Sequence, residues 1–332
     1  MGAFLEAEKK YGEQLKLSSP YFSSAARIDG VYRKRERPFC VGVSEENLLN
    51  EIREDALEYF SDKKIVWHDG STRASDGKRL PSNHLCSSQV ACVNFLYPFV
   101  RRPQALAALL RPIFPGLTEM LPIEPDRYVD FEWIGTYNYL NEKVRSRERT
   151  RGANCTSADA AVMFHRSDDV KKLVLIEWKY TESYSSKSLA ISKNGTDRIK
   201  IYQPLLEADD CPIDTQRFVG RFEALFYEPF YQLMRLQLLA RAIEKAHWQG
   251  VGEVAVLHVA PARNLDFQRV TSNALKPIGN RVIDVWKELV RVQDRFVSVA
   301  TEALWSRFST DNFSDLADRI HDGGGLGVAE VA

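Results

Sequence analysis

Apolar positions along this chain recur with two periods, near 3.6 and near 2, and the switches between them mark the elements. Residues 44–60, SEENLLNEIREDALEYF, space Leu48, Leu49, Ile52, Leu57 and Tyr59 as an amphipathic helix, with Ser44 as its expected N-cap. Residues 67–84 are rich in Gly, Ser, Asp and His and read as a loop. SSQVACVNFLY, residues 87–97, is apolar on almost every side, which predicts a buried helix closed by Pro98. A short helix is expected at 104–110. RYVDFEWI, residues 127–134, alternates as a strand, with Val129, Phe131 and Trp133 on one face and Asp130 and Glu132 on the other.

SADAAVMF (157–164) and KKLVLIEWKY (171–180), joined by the polar turn HRSDD, predict a hairpin. Residues 181–215 are polar and loop-like. A long helix is expected at 229–247, with Pro229 in its first turn, then a strand at 253–260 and a helical stretch at 282–307. The tail, 321–332, is expected to be disordered. The order helix, three strands, helix, strand is an α/β layer plan. No composition shift marks a boundary. Residues 1–320 are therefore expected to form one domain, with a core at 87–262 and helical additions at 1–80 and 265–320.

One stretch conflicts with its own pattern. LVLIEWKY (173–180) reads as a buried strand, yet it carries Glu177 and Lys179 two residues apart, on one face. A charge removed from water must be paired or bind a metal. The spacing alone means little, because Glu8 and Lys10, and Asp62, Asp76 and Asp169 with the lysines two residues on, repeat it in polar surroundings. Only Glu177 and Lys179 sit in an apolar strand, and only there does an isolated acid, Asp159, lie on the preceding strand among Ala158, Ala160, Ala161 and Val162. Two carboxylates brought together repel unless a cation sits between them. A hard divalent metal, Mg²⁺ or Mn²⁺, suits Asp159 and Glu177 as oxygen ligands. Lys179 adds positive charge, and metal plus lysine is an arrangement for phosphodiester hydrolysis. Lys179 could stabilise charge, orient the water or, with a lowered pKa, act as a base. The competing reading is a structural buried ion pair, which accounts for two charges and leaves one acid over.

These residues resemble the PD-(D/E)XK, or restriction-endonuclease-like, nuclease superfamily, and the element order is similar to its core. The resemblance covers roughly residues 87–262. It implies a mixed central sheet flanked by helices, with Asp159 and Glu177 as metal ligands and Lys179 as the catalytic lysine. Ser-Ala precedes Asp159 where the name pattern has Pro. The family usually places an acid on the first core helix, where this chain offers Gln89 and Asn94. Glu132 is the candidate to take that part, against the alternative of a solvent-facing strand carboxylate. On the helix at 229–247, Gln232 and Arg235 share an arc with Leu236, Leu239 and Ile243, and either could touch phosphate or water rather than bond to backbone.

The chain has 332 residues, 44% hydrophobic, with 45 basic and 45 acidic side chains. Net charge is zero, so any nucleic-acid surface must be local. The run KVRSRERTR supplies Lys143, Arg145, Arg147, Arg149 and Arg151 at period two. An extended run would line them along one side for phosphate contact, and a solvated loop is the alternative. Arg33, Lys34, Arg35 and Arg37 could extend such a surface, although nothing in the sequence ties them to the site. Five cysteines without a C-x-x-C pair, and no signal peptide, read as free thiols in a reducing, cytoplasmic setting. No run approaches the roughly 18 apolar residues of a membrane helix. Histidine spacing suggests no metal motif, and no G-x-S-x-G, Walker or dinucleotide motif occurs in its needed context.

The expected function is a metal-dependent nuclease, on DNA ahead of RNA, acting in restriction, anti-phage defence or repair, as a homodimer or with a partner protein. A non-catalytic nucleic-acid binder with the same fold is the rival. A carboxylate-pair glycosidase would need no lysine and is disfavoured by Lys179.

Overall fold

The computed structural model describes residues 2–142, 149–153, 155–218 and 222–306. In chain order the elements are α1 (Ala3–Ser18), β1 (Asp29–Tyr32), β2 (Arg35–Val41), α2 (Asn50–Asp62), β3 (Ser71–Thr72), β4 (Arg79–Leu80), α3 (Ser88–Leu96), α4 (Pro103–Leu110), β5 (Leu117–Leu121), β6 (Asp130–Trp133), β7 (Ala158–Arg166), β8 (Lys171–Trp178), α5 (Ile199–Leu206), α6 (Phe230–Ala246), β9 (Glu253–Ala260), α7 (Val282–Leu289), β10 (Phe296–Ala300) and α8 (Thr301–Ser306).

The central sheet runs β10-β9-β8-β7-β5, and β6 pairs with the other end of β7. β7 is antiparallel to β5, β6 and β8, whereas β8, β9 and β10 are mutually parallel. The parallel strands β8 and β9 are buried along nearly their whole length, as their near-continuous apolar runs require. Val174, Ile176 and Trp178 of β8 join a core with residues of α2, α3 and α4. Leu173 and Leu175 join a second core with residues of α5, α6 and α7. Strand alternation therefore turns Glu177 toward the α6 layer, together with Asp159, which shares a face of β7 with Ala161 and Met163. This mixed sheet between helical layers is the expected restriction-endonuclease-like α/β core.

Several elements depart from the sequence expectations. The helix expected from Ser44 splits into a 3₁₀ turn at Ser44–Asn47 and α2, whose N-cap is Leu49, so Ser44 caps nothing. The helix at 87–97 forms as α3, capped by Ser87, and a 3₁₀ turn containing Pro98 follows it. The strand expected at 127–134 shrinks to β6, whose four residues are all buried, with Glu132 at φ 46°. The polar N-terminal region holds α1 and the β1–β2 hairpin, and the loop at 67–84 contains the β3–β4 ladder. Within the loop-like stretch after 180 lies α5, and before β6 lies β5. The helical stretch from 282 ends at Leu289, and Phe296–Ala300 instead joins the sheet as β10, parallel to β9. The core therefore continues past residue 262. The expected tail at 321–332 lies outside the described residues. No described helix is long and apolar enough to cross a membrane.

Candidate active site

Register brings the acids together. β6 pairs with β7 through Phe131–Ala160 and Trp133–Ala158, so Glu132 lies opposite Asp159. β7 pairs with β8 through Ala160–Ile176, which carries Asp159 opposite Glu177. Three carboxylates thus occupy aligned positions on three neighbouring strands. Directly opposed side chains on paired strands are within interaction range. Glu132, Asp159 and Glu177 line one cavity of about 230 Å³, whose other walls include His68, Cys155, Ser157, Gln232, Arg235 and Leu236.

Each acid is held differently. The Trp178 N–H donates to Asp159 Oδ2 at 2.6 Å. Glu132 is buried, accepting from the Gln89 amide at 2.7 Å and from Ser157 Oγ at 3.0 Å. Its expected solvent-facing alternative is thereby corrected, because the positive φ at Glu132 turns the strand and draws the carboxylate inside. Glu177 Oε1 lies 2.6 Å from Lys179 Nζ, both side chains being almost wholly buried. The Lys179 backbone N–H bonds to Val259 O at 2.8 Å, extending the β8–β9 pairing one residue past Trp178.

The electrostatics follow from crowding. Burial, then Glu177, with Glu132 adding, push the Asp159 carboxyl well above its usual range, against Lys179 and the Trp178 N–H. Burial also raises Glu132, helped by Glu177 and opposed by His68, Gln89 and Ser157. For Lys179, burial works against the ammonium, but Glu177, Tyr184 and Asp159 outweigh it and hold its pKa well above the lysine range. Positive charge is in short supply in this cavity. That shortage, and the all-oxygen donors on Asp159 and Glu177, suit a hard divalent cation. Among the described residues no three of His, Cys, Asp and Glu converge tightly enough to hold a metal ion by themselves.

Helix α6 supplies the facing wall. Gln232 accepts from Tyr184 OH at 3.3 Å. The Arg235 guanidinium lies 4.7 Å from the Tyr231 ring centre, with its Nε buried and without a hydrogen-bond partner among the described residues. Burial opposes the Arg235 charge, while Tyr202, Tyr231, Glu142 and Glu228 sustain it.

The basic run divides. Lys143, Arg145 and Arg147 lie outside the described residues. Arg149 donates to the carbonyls of Ile134 and Gly135. Arg151 is drawn inward to Asp130, at 2.6 Å, and to Glu124, at 3.1 Å. Its expected phosphate role is corrected accordingly. The period-two reading assumed a side chain free to face outward, and the buried Asp130 carboxylate claims it instead.

Two groups at this site carried no sequence signal. His68 borders the cavity, with Nε2 2.8 Å from Gly152 O and 3.9 Å from Glu132 Oε1. Glu228 precedes α6 and is raised by burial and by Glu177, against Arg235 and Lys179. Neither belongs to a recognisable spacing, since pairing between distant segments brings them here.

A family model described as Restriction Endonuclease associating with ARP matches residues 6–321. That match spans most of the chain, and the chain belongs to this family. No curated protein matches it, and neither does any solved structure.

Proposed function

We propose that this member of a restriction-endonuclease family is a metal-dependent nuclease that hydrolyses phosphodiester bonds in DNA. The observation that carries the reading is the row of Glu132, Asp159 and Glu177 around one cavity, with Lys179 paired to Glu177. Asp159 and Glu177 would hold Mg²⁺ or Mn²⁺, which when bound polarises a phosphoryl oxygen and lowers the pKa of water. Glu132, fixed by Gln89 and Ser157, contributes the third carboxylate. The Lys179 ammonium neutralises charge that builds on the phosphate during attack, and Gln232 and Arg235 hold the scissile strand against α6. Lys143, Arg145 and Arg147 retain their proposed phosphate role.

We take residues 1–320 as one nuclease unit working in a cytoplasmic setting, where its free thiols stay reduced. The family description names an association with ARP, so a partner protein in a defence or repair system belongs to the proposal, with a homodimer as the other arrangement. A second reading, a nucleic-acid binder without cleavage, is favoured by one feature. The closed 2.6 Å pair between Lys179 and Glu177 is also what a purely structural ion pair adopts.

The test is incubation with plasmid, linear duplex, single strands and RNA, in Mg²⁺, Mn²⁺ or chelator. Cleavage of DNA that chelator abolishes supports the proposal. Binding without cleavage, in every metal, would select the second reading.

A further inference from the structure

The β1–β2 hairpin carries Arg33, Lys34, Arg35 and Arg37 against two acids, Glu36 and Asp29, the latter at the base of the hairpin and paired with Lys16, in a chain with no net charge. Tyr32 pairs with Arg35, so Arg33 and Lys34 form a two-residue turn with φ of 50° and 64°. Turns of that kind favour Asn-Gly or Asp-Gly, because positive φ is unfavourable for larger side chains. Here two long cations occupy both positions. Residues 33–36 are all exposed, and Lys34 and Arg35 have no carboxylate partner among the described residues.

The structure supplies the tie to the site that the sequence lacked. Tyr32 OH donates to Asp69 Oδ2 at 2.6 Å, and Asp69 adjoins His68, which borders the carboxylate cavity. Asn83 Nδ2 donates to Val31 O at 3.2 Å, and the rings of Tyr32 and Phe39 each meet His84 edge-on, 4.8 Å between centres. The turn end of the hairpin is thus tied through Tyr32 to Asp69, next to the cavity-lining His68, while the side chains of residues 33–36 remain exposed.

Resting on the nuclease reading above, we propose that the β1–β2 hairpin is a duplex-DNA-binding ribbon, with Arg33, Lys34 and Arg35 contacting phosphates beside the cavity. A two-stranded ribbon is of a size that B-form DNA admits in its major groove, whereas the major groove of A-form RNA is too narrow for it. The strained turn is occupied by cations because it delivers charge at the tip, where a stability-optimised turn would have none.

The experiment measures binding of a labelled DNA duplex across a salt series, with chelator present to block cleavage. Lys34→Ala with Arg35→Ala should weaken binding at least about tenfold and reduce the slope of log affinity against log salt by about 1.8, about 0.9 per lost phosphate contact. A second variant, Arg33→Asn with Lys34→Gly, installs the favoured turn chemistry. It should raise the melting temperature while weakening binding, a combination that a merely structural hairpin would not produce. Lys200→Ala with Lys276→Ala, exposed lysines elsewhere, should leave the slope unchanged. If the wild-type chain binds DNA and both hairpin variants keep its slope, the ribbon proposal fails and the nuclease reading stands. An equal hairpin-dependent affinity for an RNA duplex would overturn the assignment to B-form DNA. If the wild-type chain binds no nucleic acid even at low salt, the nuclease reading fails and the ribbon with it.

Discussion

The Gln89 side-chain amide donates to Glu132 Oε1 at 2.7 Å while its carbonyl oxygen accepts from the His68 N–H, also at 2.7 Å. One residue of α3 thereby fixes a carboxylate of the central sheet and the backbone of the cavity rim. Gln89→Ala removes the Glu132 donor inside a buried pocket, which should cost about 1–3 kcal/mol of stability. Gln89→Glu replaces the donor with a like charge and should cost more. Urea denaturation checks both, and equal stability of all three proteins would show that the Gln89 contact contributes nothing.

Lys179→Ala should lower the DNA cleavage rate by at least about a hundredfold, as loss of one group stabilising transition-state charge does. It also leaves Glu177 buried without its cation, so some stability should be lost with it. Single-turnover rates on protein shown to be folded separate the two effects. A folded variant with an unchanged rate would make Lys179 structural.

Arg151 gives the opposite pattern. Its side chain is 18% exposed, and Asp130, at 1%, depends on it for charge compensation. Arg151→Met should destabilise the fold by about 3–5 kcal/mol, because an unpaired buried carboxylate remains. The salt dependence of DNA binding should not change. A shifted slope without destabilisation would return Arg151 to the nucleic-acid surface.

Two histidines contribute to the pH dependence of stability with a sign opposite to that of the raised Asp159 and Glu132 carboxyls. Burial, with Lys179 adding, lowers His258 to about 3, and burial, with Lys9 adding, lowers His84 to about 4. An unfolded histidine titrates near 6.5. Between those values and about pH 6.5 these two histidines bind more protons in the unfolded chain than in the folded one, so their contribution to stability rises with pH across that window. It is fully present above about pH 6.5 and declines as the pH falls toward 3. At pH 4.5 the His258 contribution alone amounts to at most about 3 kcal/mol, at about 1.4 kcal/mol per pH unit. His258→Phe, which can keep the stack on Phe267, should flatten the curve between pH 7 and 4.5 in urea titrations. An unaltered curve would remove His258 from the acid response.

The strands β7, β8 and β9 and the helices α3 and α6 were legible because their apolar patterns are strong and local. Asp159, Glu177 and Lys179 stood out because charge conflicted with that pattern. Helix α1 was not legible, since its buried face is Phe4, Glu8, Gly12 and Lys16. Its burial is compensated by specific partners, Tyr180 OH for Glu8 and Asp29 for Lys16, which no periodicity announces. β10 is five residues whose partner strand is β9, and only that pairing distinguishes it from the helical stretch around it. His68 reaches the cavity, and Glu228 comes within electrostatic range of Glu177, Lys179 and Arg235, through packing between distant segments. The inward turn of Arg151 is illegible for the same reason, because alternation places its partner Asp130 on a polar face without showing that this face is buried.

The central claim is a metal-dependent phosphodiesterase built on Asp159 and Glu177. Its most direct test is the rate of plasmid cleavage in Mg²⁺ by the wild-type chain, supplied with its partner protein if one copurifies, beside folded Asp159→Asn and Glu177→Gln variants. The account predicts cleavage by the wild type that chelator stops, and a loss of at least about a hundredfold in each variant. Cleavage that persists in chelator, or at full rate in folded Asp159→Asn, would contradict it.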